Sequence, residues 1–107
     1  MSERMVGSDT AELQRLRTEI DSVDNGLLNL IAARRDLALE IGRVKRKHGL
    51  ELRDHAREAA VVRRSAKVAR ELGLESEVVR DVFWRLIALS HWALMSLPLP
   101  AGEGEGV

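Results

Sequence analysis

An arginine interrupts an apolar helical stripe in the first half of the chain. From Leu13 onward apolar residues recur every three or four positions, and Arg34 occupies one of these positions. A buried permanent cation needs solvent, an acidic side chain or an anionic ligand as its partner. Lys45 follows eleven residues later, about 20° away around the helix and about 16 Å along its axis, so both side chains can reach one small anion. We therefore expect an anion-binding site here.

Further polar residues accompany this pair. Arg17 lies about 100° from Arg34 around the same helix, so it cannot serve that face within one chain, but it could serve the face of a second chain. Ser90 interrupts the apolar face of a later helix. The first turn of the helix between them carries Asp54, Arg57 and Glu58. The set has no metal-ligand spacing, no recognisable acid/base pair and no activated nucleophile, which leaves binding and polarisation of an anion.

Three helices of unequal length are predicted to position these residues. Leu, Ala, Val, Arg and Glu dominate and only 3% of residues are aromatic, which favours helices over sheets. The helices should cover about 9–48, 55–72 and 76–97. The predicted caps are Asp9, Asp54 and Ser76 at the beginnings, and Gly49 and Gly73 at the ends of the first two helices.

The first predicted helix is too long for a compact monomer. Forty residues would span about 60 Å, whereas a domain of this size has a radius of gyration of about 13 Å. We therefore expect an all-α, intertwined six-helix homodimer; a three-helix bundle and a two-stranded coiled coil are the simpler alternatives. In domain terms, the sequence predicts a flexible N-terminus over 1–8, a helical domain over 9–97 and a flexible tail over 98–107.

The bulk composition narrows the functional classes. The 107 residues allow one domain, and 45% of them are hydrophobic. Seventeen basic residues balance seventeen acidic ones, so no nucleic-acid partner is expected. The chain has no cysteine for a disulfide or thiolate metal site. It also lacks an apolar run of signal-peptide or membrane-spanning length, which predicts a cytoplasmic protein without a membrane partner.

The combined pattern resembles the all-helical chorismate mutases over most of the chain, from Leu13 to about Ser90. The resemblance rests on Leu16, Arg17, Ile20, Asp21, Val23, Asp24, Leu27, Leu30, Ile31, Arg34, Arg35, Leu37, Ala38, Ile41, Lys45, Gly49, Asp54, Arg57, Glu58, Gly73, Leu74, Phe83 and Ser90. It implies an intertwined homodimer with two active sites. Each site would take Arg17 from one chain and Arg34, Lys45, Asp54, Arg57, Glu58 and Ser90 from the other.

The reaction implied by this resemblance is the rearrangement of chorismate to prephenate, a step in aromatic amino acid biosynthesis that needs no metal or organic cofactor. Arg17 and Arg34, with Lys45, would hold the two carboxylates of the substrate. Lys45 would stabilise the charge that develops on the ether oxygen. Glu58, in the region of Asp54, would receive the ring hydroxyl, Arg57 would orient Glu58 or the substrate, and Ser90 would bind a carboxylate.

One position departs from the family pattern. The family usually has a Gln or Glu one turn after the serine, and this chain has Leu94. Isochorismate pyruvate-lyase, 4-amino-4-deoxychorismate mutase and a non-catalytic helical dimer therefore remain alternatives, and an enzyme of the aromatic pathway is a candidate activating partner. Purely structural interpretations also exist: Asp54 could serve as a helix cap, and Lys45 could be an ordinary surface lysine. The three histidines, His48, His55 and His91, receive no role.

Replacing Leu94 with Gln tests this departure. Loss of one preorganised donor at a developing oxyanion lowers rates by about 10²- to 10³-fold. The Leu94→Gln variant should therefore have a higher kcat on chorismate than the natural chain, measured as the loss of chorismate absorbance. An unchanged kcat would mean that the third helix or the substrate has been placed wrongly.

Overall fold

The computed structural model describes residues 2–97, with side chains from residue 9 onward, and this part of the protein is all-α. The three helices are α1 (Ser2–Lys47), α2 (His55–Glu71) and α3 (Ser76–Met95). Residues 2–97 contain no strand, so the predicted fold class is confirmed at this level. None of the helices in this range is long and apolar enough to cross a membrane. The predicted tail, 98–107, lies outside the described residues.

The first helix begins earlier than the capping residues predicted. A start near Asp9 was expected, but α1 already begins at Ser2. Glu3, Arg4 and Met5 have high helix propensity and no proline separates them from the rest of α1. Because extension of an existing helix adds one hydrogen bond for each residue fixed, the helix continues through the predicted cap. The flexibility of residues 1–8 stays a prediction.

The first two helices end at the two glycines that the sequence predicts as caps. Gly49 and Gly73 have φ values of 67° and 73°, the left-handed conformation that glycine adopts without a Cβ penalty. Asp54 caps α2 as predicted, because its Oδ1 accepts a hydrogen bond of 3.0 Å from the backbone N–H of Arg57. Gly49 and Asp54 thus bound the loop that joins α1 to α2.

The cap of α3 is not the predicted one. Glu75, rather than Ser76, is the N-cap residue, and its side chain accepts a hydrogen bond of 3.3 Å from the N–H of Glu77. The backbone of Glu75 is extended (φ −68°, ψ 111°), as an N-cap requires, whereas Ser76 is already helical. The longer carboxylate side chain folds back to the first turn, so the capping role moves one residue upstream.

The chain forms two units. The first ends at Ala33 and consists of the N-terminal part of α1. Its apolar stripe is solvent-exposed in the single chain, and the relative accessibility of its residues is 43 to 69% in Leu13, Leu16, Ile20, Val23, Leu27 and Leu30. Such a continuous apolar surface is uncommon on a monomer and is typical of an interface.

The second unit begins at Arg34 and contains the last part of α1 with α2 and α3. α2 packs against α3. The buried apolar side chains of this unit are Val62, Ala66 and Ala69 of α2 and Ile87 and Leu94 of α3. Two of the three α2 residues are alanines, which allow the helix backbones to approach closely. This unit carries the cavity described next.

Candidate active site

A cavity of about 250 Å³ lies in the second unit, lined by the last turns of α1, the loop and first turns of α2, and the C-terminal half of α3. Six of the seven predicted site residues line it, namely Arg34, Lys45, Asp54, Arg57, Glu58 and Ser90. The apolar part of the wall comes from all three helices and includes Ile41, Val61 and Ile87. The seventh predicted residue, Arg17, belongs to the first unit, where its side chain is exposed.

The arginine that interrupts the apolar stripe is paired with the serine that interrupts α3. Nη1 of Arg34 donates a hydrogen bond of 3.1 Å to Oγ of Ser90. Ser90 is buried and Arg34 is half-buried. An apolar side chain at position 90 would leave this N–H without an acceptor, so the two exceptions in the sequence explain each other. The bond uses one of the five N–H donors of a guanidinium.

The second predicted cation is fixed by the loop before α2. Nζ of the half-buried Lys45 donates a hydrogen bond of 3.2 Å to the backbone carbonyl of Leu52. Because an ammonium group has three N–H donors, this bond positions the cation at the cavity wall and leaves it able to bind a ligand. The sequence did not indicate Leu52 as a partner, since any residue type offers a carbonyl.

Glu58 is the buried acidic residue of the site, and its side chain is 11% exposed. Its carboxylate accepts hydrogen bonds from Nε and Nη2 of Arg53 at 3.1 and 3.2 Å and meets Nε2 of His91 at 3.0 Å. Burial alone would raise the pKa of Glu58. The hydrogen bonds and positive charges of Arg53 and His91 outweigh this desolvation and hold the pKa below its ordinary value.

Arg53 and His91 are therefore site residues that the sequence reasoning missed. Arg57, which was expected to orient Glu58 or the substrate, lines the cavity, but the contacts to the Glu58 carboxylate come from Arg53. The sequence gives His91 no role because the three histidines show no metal-ligand spacing. His91 follows Ser90 directly and so points about 100° away from it on α3. On that side of α3, His91 faces α2 and contacts Glu58. The sequence offered no more than a titratable side chain next to Ser90 on the same helix.

Leu94 lies at the cavity wall one helical turn after Ser90. It is buried, and its backbone carbonyl accepts a hydrogen bond of 3.3 Å from Nη2 of Arg46. Its Cδ2 atom sits against the backbone of Gly42 in α1, so closely that a Cβ on Gly42 would overlap it. The missing side chain of Gly42 thus makes room for residue 94.

Residues 16–91 match the chorismate mutase type II family. This range holds the three predicted cations of α1, the predicted residues of α2, and Ser90. The chain belongs to this family. The match to the chorismate mutase type II family ends before Leu94, so it does not test the predicted departure at that position.

Relatives with this domain carry several names. A T-protein of Enterobacter agglomerans is 41% identical over 81 residues, which cover 76% of this chain and 22% of that protein. A chorismate mutase of Methanocaldococcus jannaschii is 32% identical over 76 residues, 71% of this chain and 77% of that protein. A 4-amino-4-deoxychorismate mutase of Streptomyces venezuelae is 36% identical over 72 residues, which cover 67% of this chain and 70% of that protein. The chain spans only about a fifth of the length of the T-proteins.

Glu58 should make stability depend on pH in a defined direction. Because its pKa is lower in the folded protein than in the unfolded chain, its ionised form stabilises the fold, and this contribution is fully present above the pKa of the unfolded chain. This contribution is lost as the pH falls through the folded-state pKa. Glu58→Gln should lower the free energy of unfolding by about 1–3 kcal/mol at pH 7, with the difference shrinking towards pH 3. Urea denaturation across this pH range measures both.

A matched control is Glu77→Gln. The Glu77 side chain is 77% exposed and lies 3.7 Å from Arg80, so its loss should change stability little at any pH. A stability difference between the natural chain and Glu58→Gln that stays constant from pH 7 to pH 3 would contradict the assignment of Glu58 as a stabilising carboxylate.

Proposed function

We propose that this chain is a chorismate mutase that converts chorismate to prephenate. The observation that carries the proposal is the arrangement of Arg34, Lys45 and Glu58 on one cavity of about 250 Å³. Arg34 and Lys45 are each held by one hydrogen bond, and Glu58 is buried with its own partners. Preorganised charges of both signs around a small cavity suit a reaction that needs positioning and polarisation and no chemical group from the protein.

The charge of the cavity matches a dicarboxylate. Arg34, Lys45 and Arg57 line it with positive charges that outnumber the Asp54 carboxylate, and Arg53 compensates the charge of the Glu58 carboxylate. Arg34 would bind one carboxylate, with Ser90 adding a hydrogen bond, and Arg57 is placed to bind the ligand from the first turn of α2. Asp54 caps that turn and so keeps Glu58 and Arg57 in place.

The chemical step would rely on Lys45 and Glu58. As the ether C–O bond breaks, negative charge grows on the oxygen, and a fixed ammonium group stabilises this charge more in the transition state than in the ground state. Lys45 is the proposed cation for that role, with Arg34 holding the folded conformer. Glu58 would accept the hydrogen bond of the ring hydroxyl. Leu94 offers no donor to the ether oxygen, so we expect a slow mutase.

A homodimer would complete the site. The apolar stripe of the first unit is exposed in the single chain and requires a covering surface. A second copy of the chain offers the same stripe, and pairing two of them would bury both. Arg17 lies on this segment and faces about 100° away from Arg34 around the helix axis. We therefore propose that Arg17 acts in the site of the partner chain.

A second candidate activity is the mutase reaction on 4-amino-4-deoxychorismate. It is favoured by the relatives that carry this name in Streptomyces venezuelae and Streptomyces pristinaespiralis and by the absent donor at position 94. Parallel assays on the two substrates separate the candidates, and isochorismate tests the pyruvate-lyase alternative. The cytoplasmic location and an activating partner from the aromatic pathway remain predictions.

Arg34→Ala should abolish most of the activity. Removing a fixed guanidinium that binds the substrate carboxylate should lower kcat/KM for chorismate by about 10²- to 10³-fold or more. The matched control is Arg35→Ala, because Arg35 is exposed on the same helix and pairs with Asp36 at 2.9 Å. Steady-state assays of both variants, with circular dichroism to verify folding, make the comparison. Turnover unaffected in Arg34→Ala would remove the basis of the proposed function.

Mixed dimers test the proposed sharing of Arg17. Arg17→Ala and Arg34→Ala chains should each be nearly inactive alone. After joint unfolding and refolding in equal amounts, half of the dimers are mixed, and each holds one intact site, so about a quarter of the natural activity should return. Arg34→Ala refolded with the Arg17→Ala/Arg34→Ala double variant has no intact site and is the control. If the first mixture stays inactive, Arg17 does not act across the dimer.

A further inference from the structure

Most of the hydrogen-bonding capacity of Glu58 is already used within the protein. An ionised carboxylate offers about four acceptor positions and no donor. Oε2 accepts from Nε of Arg53 at 3.1 Å and from Nε2 of His91 at 3.0 Å, and Oε1 accepts from Nη2 of Arg53 at 3.2 Å. His91 must be the donor in its contact, because the carboxylate can only accept. A ligand in the cavity therefore finds about one open acceptor position, on Oε1.

Positively charged side chains surround the open acceptor position of the Glu58 carboxylate. The guanidinium of Arg53 binds Glu58 through two N–H groups and so compensates its negative charge. His91 is 18% exposed and touches the same carboxylate, and Nδ1 of the exposed His55 lies 3.9 Å from Oε1. Arg34, Lys45 and Arg57 line the same cavity, and Asp54 is the further carboxylate among its lining residues. Three cations against one further carboxylate leave a surplus of positive charge in the cavity that a ligand group approaching Oε1 occupies.

A hydroxyl group and an amino group respond differently to this environment. A hydroxyl is neutral and has one O–H donor, which the open position on Oε1 can accept. An ammonium group has three N–H donors and a positive charge. Buried in this cavity, it would leave donors without acceptors, which weakens binding, and its charge would be repelled by the neighbouring cations.

We propose that His91 and Arg53, by occupying three of the acceptor positions of Glu58, make the site selective for a ring hydroxyl and against the amino analogue. This inference rests on the proposed function, since it takes the ring substituent to be the group that meets Glu58. His91 acts as a positioning and specificity-determining residue through Glu58. His91 limits how many further hydrogen bonds the Glu58 carboxylate can accept, and Arg53 compensates the negative charge of that carboxylate.

The test compares chorismate with 4-amino-4-deoxychorismate as substrates and ligands of three full-length proteins: the natural chain, His91→Leu and His91→Gln. Leucine fills the space of the ring but donates nothing, so it frees an acceptor position on Oε2. Glutamine places an amide N–H near the position of Nε2 and should rescue the donor. The ratio of kcat/KM for the two substrates and the ratio of their Kd values by calorimetry are both measured.

We expect the natural chain to prefer chorismate, and His91→Leu to reduce this preference on the order of tenfold in both ratios. His91→Gln should keep a preference close to that of the natural chain, which a purely structural role of the ring would not produce. His48→Leu is the matched control, because His48 is exposed and does not line the cavity. Thermal unfolding verifies that all variants fold.

The outcomes separate the inference from the proposed function. A preference that is unchanged in His91→Leu overturns the inference while leaving the mutase proposal intact. A natural chain that turns over chorismate but prefers the amino compound overturns the inference and favours the second candidate activity. Absence of turnover by the natural chain overturns the proposed function, and the ratio of Kd values then decides the inference alone. In the absence of turnover, equal Kd ratios in the natural chain and in His91→Leu would overturn the inference about His91.

Discussion

A buried carboxylate places the strongest constraint on the second unit of this protein. Glu58 can remain ionised near the base of α2 only because Arg53 and His91 donate hydrogen bonds to it, since an isolated buried charge would be severely destabilising. This requirement ties three segments together: the loop before α2, the first turn of α2 and the C-terminal half of α3. The cavity is the space that remains between them and the last turns of α1.

The sequence predicted the features that depend on local periodicity and on backbone conformation. The apolar stripe of α1 and the two glycines in the left-handed conformation follow from rules that involve a few neighbouring residues. The interruption of two apolar faces by Arg34 and Ser90 was also visible, and their hydrogen bond joins the two exceptions. A polar residue at an apolar position carries information because it must find a partner when the helices pack.

The features that the sequence did not predict depend on direction and distance in three dimensions. The orientation of His91 towards Glu58 requires knowledge of how α3 is rotated against α2, which periodicity alone does not fix within a few tens of degrees. The choice of Arg53 over Arg57 as the partner of Glu58 depends on the loop conformation. The start of α1 at Ser2 and the cap of α3 at Glu75 reflect small differences in free energy between adjacent residues.

The contact between Gly42 of α1 and Leu94 of α3 couples the residue types that these two positions can carry. A residue with a side chain at position 42 could not coexist with Leu94 in its present conformation. The side chain of residue 94 and any side chain at position 42 therefore compete for the same space, so a substitution of Gly42 requires Leu94 to move or to be replaced. Any attempt to evolve the site in the laboratory should vary these two positions together, because single substitutions leave every combined change at the two positions untested.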